Sequence, residues 1–173
     1  MNAASSATEH NSKLLQLPTG DDSKDPSWAD SINEIIPGLF VGDYYAVTCP
    51  DTLQLYNIEA IVNATWSSNK RRFKSKIAYH RVKIKDDGSS TITPHLAKTN
   101  KFIHRQRRKL KKNVLIHCSA GMSRSVSLAI AYLFYIGHSS SFEEALKFMQ
   151  TKRPCSRPSP FFTEELKAVL ECT

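Results

Sequence analysis

An α/β fold, with a small, mostly parallel central sheet flanked by helices, is what three features of this 173-residue chain predict. Short β-branched runs alternate with amphipathic segments. One run, Asn113–His117, has an unbroken apolar centre, as a strand buried on both faces does. The C-terminal part then reads as helices divided by Gly137 and by a proline-rich loop.

Residues 1–31 are rich in Ser, Asp and Asn, with one apolar island at Leu14-Leu15-Gln16-Leu17, and are expected to form a mobile tail ahead of an ordered domain over 32–173. Ile35–Gly42 reads as one edge strand. Asp43–Tyr56 has helical spacing broken at Pro50, and Ile58–Ala64 is a strand. Ser67–Ser75 is a polar, basic loop, and Ala78–Ile84 alternates as another strand. Thr93-Pro94 supplies a cap and a proline at the first helical position for a helix to about Arg108. Ser125–Ile136 is a strongly apolar helix ended by Gly137. Ser141 and Glu144 form a capping box for a helix through Met149. Arg153–Pro160 cannot be helical throughout, and Ser159-Pro160 opens a last helix to about Leu170.

Hydrophobic residues at 40% and charged residues at 23% suit a soluble globular chain and exclude collagen-like or low-complexity polymers. No apolar run approaches the ~18 residues that would span a bilayer. No basic segment followed by an apolar one marks a secretory signal. Cys49, Cys118, Cys155 and Cys172 lack CxxC spacing, so free thiols in a reducing cytoplasmic or nuclear compartment are expected, without a metal or other cofactor. The net charge of +8 is concentrated: Lys70–Lys112 holds 16 Lys or Arg against Asp86 and Asp87 alone. Such a band attracts acidic or phosphate-rich partners, or is merely a solvated face.

The chemistry lies in His117-Cys118-Ser119-Ala120-Gly121-Met122-Ser123-Arg124-Ser125, placed between a buried strand and a helix start. Successive backbone N–H groups in such a loop form an anion nest, and the helix N-terminus adds its unpaired donors and dipole. Arg124 can fork two hydrogen bonds onto phosphate oxygens. The same field favours a thiolate, the nucleophilic form of Cys118. The loop lacks Gly-Lys-Ser/Thr and so is not a nucleotide P-loop. A lone cysteine is commonly an inert buried thiol; the His-Cys-x5-Arg-Ser spacing between strand and helix argues against that here.

His-Cys-x-x-Gly-x-x-Arg-Ser resembles the signature of the cysteine-dependent protein phosphatases. Ile35–Gly42, Val62–Thr65, Ala129–Leu133 and Arg153–Pro158 resemble segments of the dual-specificity branch, over about residues 32–171. The small atypical members without a docking domain are the nearest in kind. The resemblance implies Cys118 as nucleophile, Arg124 as phosphate clamp and Ser119, Ala120, Gly121, Met122, Ser123 and Arg124 as phosphate-binding donors. It implies that Ser125 places a hydroxyl on the Cys118 sulfur and that His117 holds the loop from behind. It also implies a general-acid aspartate ahead of the basic helix. Asp86 fits that position better than Asp87, although Asp-Asp-Gly is also ordinary turn chemistry. Two departures stand out: Ser159 occupies a place where the family commonly has Asn, and Lys85 adds to the basic density beside Asp86.

The expected activity is hydrolysis of phosphotyrosine and phosphoserine/threonine in proteins with acidic surroundings, through a cysteinyl-phosphate. Nucleic acid is not an expected partner. The alternatives are a phosphoinositide or RNA 5′-phosphatase of the same superfamily, or a weakly active phosphate-binding module.

Overall fold

The segment Ile35–Gly42, expected as one strand, folds back on the strand before it. In the computed structural model, which describes residues 31–67 and 77–170, β1 (Ile32–Ile36) and β2 (Leu39–Gly42) form an antiparallel hairpin. Pro37 has no N–H to offer a ladder. Gly38 takes a φ of +76°, which the turn requires, and donates its N–H to the Glu34 carboxylate at 2.8 Å. The expected N-terminal tail lies outside the described residues except for Ser31, and so does most of the expected loop Ser67–Ser75.

The remaining strands are β3 (Ile58–Asn63), β4 (Ala78–Arg81) and β5 (Asn113–His117). Their order is β1-β2-β5-β3-β4, with every pairing parallel except β1–β2. The mostly parallel sheet therefore stands as expected, with β5 at its centre. Alternation along β5 builds two cores: Val114 and Ile116 join the larger cluster, and Leu115 joins the smaller. The smaller is closed by α1 (Tyr44–Thr48) and α2 (Pro50–Leu55), divided where Pro50 was expected to divide them. The larger is closed by α3 (Thr93–His104), α4 (Arg124–Tyr135), α5 (Phe142–Lys152) and α6 (Pro160–Leu170). Residues Ser125 through Leu133 of α4 are all buried, which explains why that helix reads apolar on every face.

Three expectations shift in detail. Thr93 is inside α3 and not its cap; the donors there are satisfied from across the fold, as the Glu165 carboxylate accepts from the N–H groups of Ile92 and Thr93 at 2.7–2.9 Å. Beyond His104 the helix widens into a π turn, Arg105–Lys109, ended by Lys111 at φ +56°. In the capping box of α5, Ser141 accepts from the Glu144 N–H as expected, but the Glu144 carboxylate reaches Ser140, one residue further back.

The parallel sheet gives the molecule two poles. Gly42, His117, Asn63 and Arg81 stand in one row at the C-terminal ends of their strands. The π turn lies at the opposite pole, where Arg107 donates to the Pro37 carbonyl at 2.7 Å. Among the described residues of the basic band, Arg81 therefore stands at one end of the sheet and Arg107 at the other.

Candidate active site

β5 delivers its chain end into the loop 118–123, and α4 begins at Arg124. The loop is held by its carbonyls. Ser119 O accepts from the Tyr44 N–H at 3.0 Å, Met122 O from the Arg157 N–H at 2.9 Å and Ser123 O from the Ser127 N–H at 2.8 Å. Gly121 O accepts from Arg153 Nε at 2.7 Å. With carbonyls bound outward, the N–H groups are left to converge on the loop centre, the arrangement that makes an anion nest. The Gly121 N–H already lies 3.2 Å from Cys118 Sγ.

Gly121 is required twice over. Its φ is +66°, and a Cβ would come within 2.6–2.8 Å of Arg153 Nη2 and of the Gly42 backbone. Arg153 itself is buried, with Nη1 on Asn33 Oδ1 of the edge strand. Sequence reasoning assigned Arg153 only to a rigid loop, because nothing local marks an arginine that acts 32 residues away.

The sequence-derived residues converge. Cys118 is buried at the floor, and Ser125 Oγ stands 3.3 Å from its sulfur. Arg124 is oriented by Nη2 donating to Ser119 Oγ at 3.1 Å. His117 is buried behind the loop, Nδ1 lying 3.3 Å from the Cys118 carbonyl. Burial pushes its imidazole pKa down to about 4, so it is neutral near pH 7 and Nδ1 carries the proton that reaches the carbonyl.

The two aspartates part company. Asp86 leans over the loop: Oδ1 accepts from the Ser123 hydroxyl at 2.8 Å, and Oδ2 lies 3.6 Å from Arg124 Nε. Asp87 turns away and closes the Asp-Asp-Gly turn through Ser89, beside Lys85 at 4.0 Å. Hydrogen bonds from Ser89 hold its carboxyl below the usual range. Asp87 is thus the turn acid of the Asp-Asp-Gly sequence, and Asp86 is the carboxylate that faces the loop.

The Ser159 departure also resolves into geometry. The Ser159 backbone N–H donates to Ser123 Oγ at 2.9 Å, and that hydroxyl in turn donates to Asp86. A main-chain donor thus ties the proline-rich loop to the catalytic loop. α6 supports the acid loop further, through the Phe161 ring against Gly88 and the Glu165 cap on α3. The hydroxyl of Ser123 was missed in the sequence, where that residue counted only as a backbone donor.

Residues 39–171 match the family model described as dual specificity phosphatase, catalytic domain. The chain belongs to this family. Among curated relatives, human dual specificity protein phosphatase 22 is 30% identical over 138 residues, 80% of this chain and 73% of that protein. Human protein phosphatase Slingshot homolog 3 is also 30% identical over 80% of this chain, but the match spans only 20% of its length. The chain thus covers about a fifth of the Slingshot relatives it matches. Among solved structures, DUSP15 superposes with a TM-score of 0.74 at 26% identity, covering 79% of this chain and 85% of that one. The human tyrosine phosphatase-like serine/threonine/tyrosine-interacting protein gives 0.72 at 28% identity, covering 82% and 96%. No helix among the described residues is long and apolar enough to cross a membrane.

Proposed function

We propose that this dual-specificity phosphatase domain hydrolyses phosphotyrosine and phosphoserine/threonine of proteins through a cysteinyl-phosphate. The observation that carries the reading is the convergence on one loop of Cys118 Sγ, the Gly121 N–H, the Ser125 hydroxyl, Arg124 and Asp86. The substrate phosphate enters the nest, and the Arg124 guanidinium transfers from Asp86 to its oxygens. Sγ attacks phosphorus as the bond to the leaving oxygen breaks, and Asp86 gives that oxygen its proton. Asp86, now a carboxylate, takes a proton from the water that attacks phosphorus. The S–P bond then breaks, and the Ser125 hydroxyl stabilises the departing thiolate. Neutral His117 holds the loop and takes no part in proton transfer.

Cys49, Cys118 and Cys155 are unpaired, which supports a cytoplasmic or nuclear setting. The deciding experiment is turnover on a panel: p-nitrophenyl phosphate, phosphotyrosine and phosphothreonine peptides, a phosphoinositide and a 5′-triphosphate RNA. Hydrolysis of both peptide classes is expected. Faster turnover of the lipid or RNA would overturn the protein-substrate assignment, and no turnover at all would leave a phosphate-binding module.

A further inference from the structure

Beside the catalytic loop, past the ends of β3 and β4, Trp66, Ser67, Arg81 and Lys83 line an open cleft of about 600 Å³. Trp66 is 45% exposed, and two ammonium groups sit on its ring. Lys83 Nζ is 4.3 Å and Lys85 Nζ 4.9 Å from the ring centroid. Arg81 is fixed by donating to the Trp66 carbonyl at 2.8 Å, while its buried Nε–H has no acceptor among the described residues. The acids nearby are Asp86, engaged by Ser123 and Arg124, and Asp87, which offsets Lys85 in part. The cleft is therefore a cationic shelf with an aromatic floor, its ammonium groups held in place before any ligand arrives.

Its distance from the nucleophile follows from the sheet. Arg81 pairs with Asn63, and Asn63 pairs with His117, so Arg81 stands two strand spacings, roughly 10 Å, from the residue before Cys118. An extended peptide covers about 7–10 Å in two or three residues. We propose that this shelf binds a second anionic group of a phosphopeptide, a phosphate or carboxylate two or three residues from the phosphate being hydrolysed. This inference rests on the proposed phosphatase reading and adds to it which peptides the site prefers. A peptide suits the cleft better than a lipid headgroup because the shelf is displaced sideways along the sheet row, the distance an extended chain bridges between alternate side chains.

Binding separates this inference from catalysis. Cys118→Ser protein, which cannot turn substrate over, is titrated with a fluorescent phosphotyrosine peptide and with the same peptide carrying a second phosphothreonine two residues away. The doubly phosphorylated peptide is expected to bind about tenfold tighter, the scale of one charge-assisted contact. Lys83→Glu, a change at an exposed side chain, should bring the ratio of the two affinities to near one, and Trp66→Ala should reduce it about threefold by releasing both ammonium groups. Equal affinities in the parent, or a ratio that survives Lys83→Glu, would overturn the shelf. Stronger competition by a soluble inositol polyphosphate than by the doubly phosphorylated peptide would overturn its assignment to peptides. Failure of the phosphatase reading would show instead as wild-type protein that binds these peptides without hydrolysing them.

Discussion

The two ends of β5 carry opposite arrangements of charge. At the C-terminal end, the charged groups around the loop 118–123 are committed: Arg124 to Ser119 and Asp86, Arg153 to Gly121 and Asn33, Asp86 to Ser123. At the N-terminal end, Arg105, Arg108, Lys109 and Lys111 are exposed on and after the π turn, and among the described residues Arg107 is the one tied by a side-chain hydrogen bond, to Pro37. β5 is five residues long, roughly 16 Å, about twice the distance over which surface fields decay at physiological salt. A count of charges along the sequence merges these regions. The fold separates them, and among the described residues Arg124 and Arg153 are the cations whose side chains bond to the loop 118–123.

The comparison is broken most severely by removing the nucleophile. Cys118→Ser should lower turnover of p-nitrophenyl phosphate by ~10³ or more while tungstate still binds. Residual activity above about one per cent would contradict the cysteinyl-phosphate path.

Next comes the acid. Asp86→Ala should cost ~10²–10⁴ in kcat on a phosphothreonine peptide, whose leaving group needs a proton, and less on an activated phenol. Asp87→Ala should cost little on either. Reversal of that order in steady-state kinetics would show that the Asp-Asp-Gly turn rearranges on binding substrate.

The committed end should also be the pH-sensitive end. The His117 pKa is about 4 in the folded protein, against 6.5 for a free imidazole. The neutral ring suits the fold above pH 6.5, and stability is lost as pH falls from 6.5 towards 4, by at most about 3 kcal/mol. Urea melts of the wild type and of His117→Gln between pH 7 and 4.5 read this out: the wild type should lose more over that interval. Parallel losses would place the acid sensitivity elsewhere, for instance at Glu165, whose burial works against the hydrogen bonds from Thr93 and Ile92 that keep its pKa low.

The smallest effect is expected at the far pole. Replacing Arg105, Arg108 and Lys109 together by Gln should change kcat/KM for an acidic diphosphorylated peptide by less than about twofold at physiological salt. A larger, salt-dependent loss would mean that the distal field reaches the site.

Much of this was legible in the sequence because it is local. Cys118, Arg124 and Ser125 meet at one loop as the motif's spacing implies, since strand, loop and helix start are contiguous and each fixes the next. Asp86 could be favoured over Asp87, but which carboxylate faces the loop depends on Ser123 and on turn closure by Ser89, contacts that form only in the fold. Arg153 and Glu165 were out of reach for the same reason: their partners lie 32 and 72–73 residues away. The hairpin at Pro37-Gly38 was legible in principle, because proline followed by glycine marks a turn more strongly than the apolar run marks a continuous strand.

The bond between Arg153 and Asn33 bears on where the catalytic unit begins. The family match starts at Leu39, after β1. A shortened protein cut at that boundary would keep the whole loop 118–125 and Asp86, yet it would remove one partner, Asn33, of a buried guanidinium whose Nε holds the Gly121 carbonyl. A fragment that extends back through Ser31, whose carbonyl accepts from the Asp43 N–H beside Tyr44, is expected to be more active than one that starts at Leu39. The edge strand β1 thus braces the loop 118–123 through Arg153, and deletion mapping that removes it is expected to lower activity although no residue of the signature is lost.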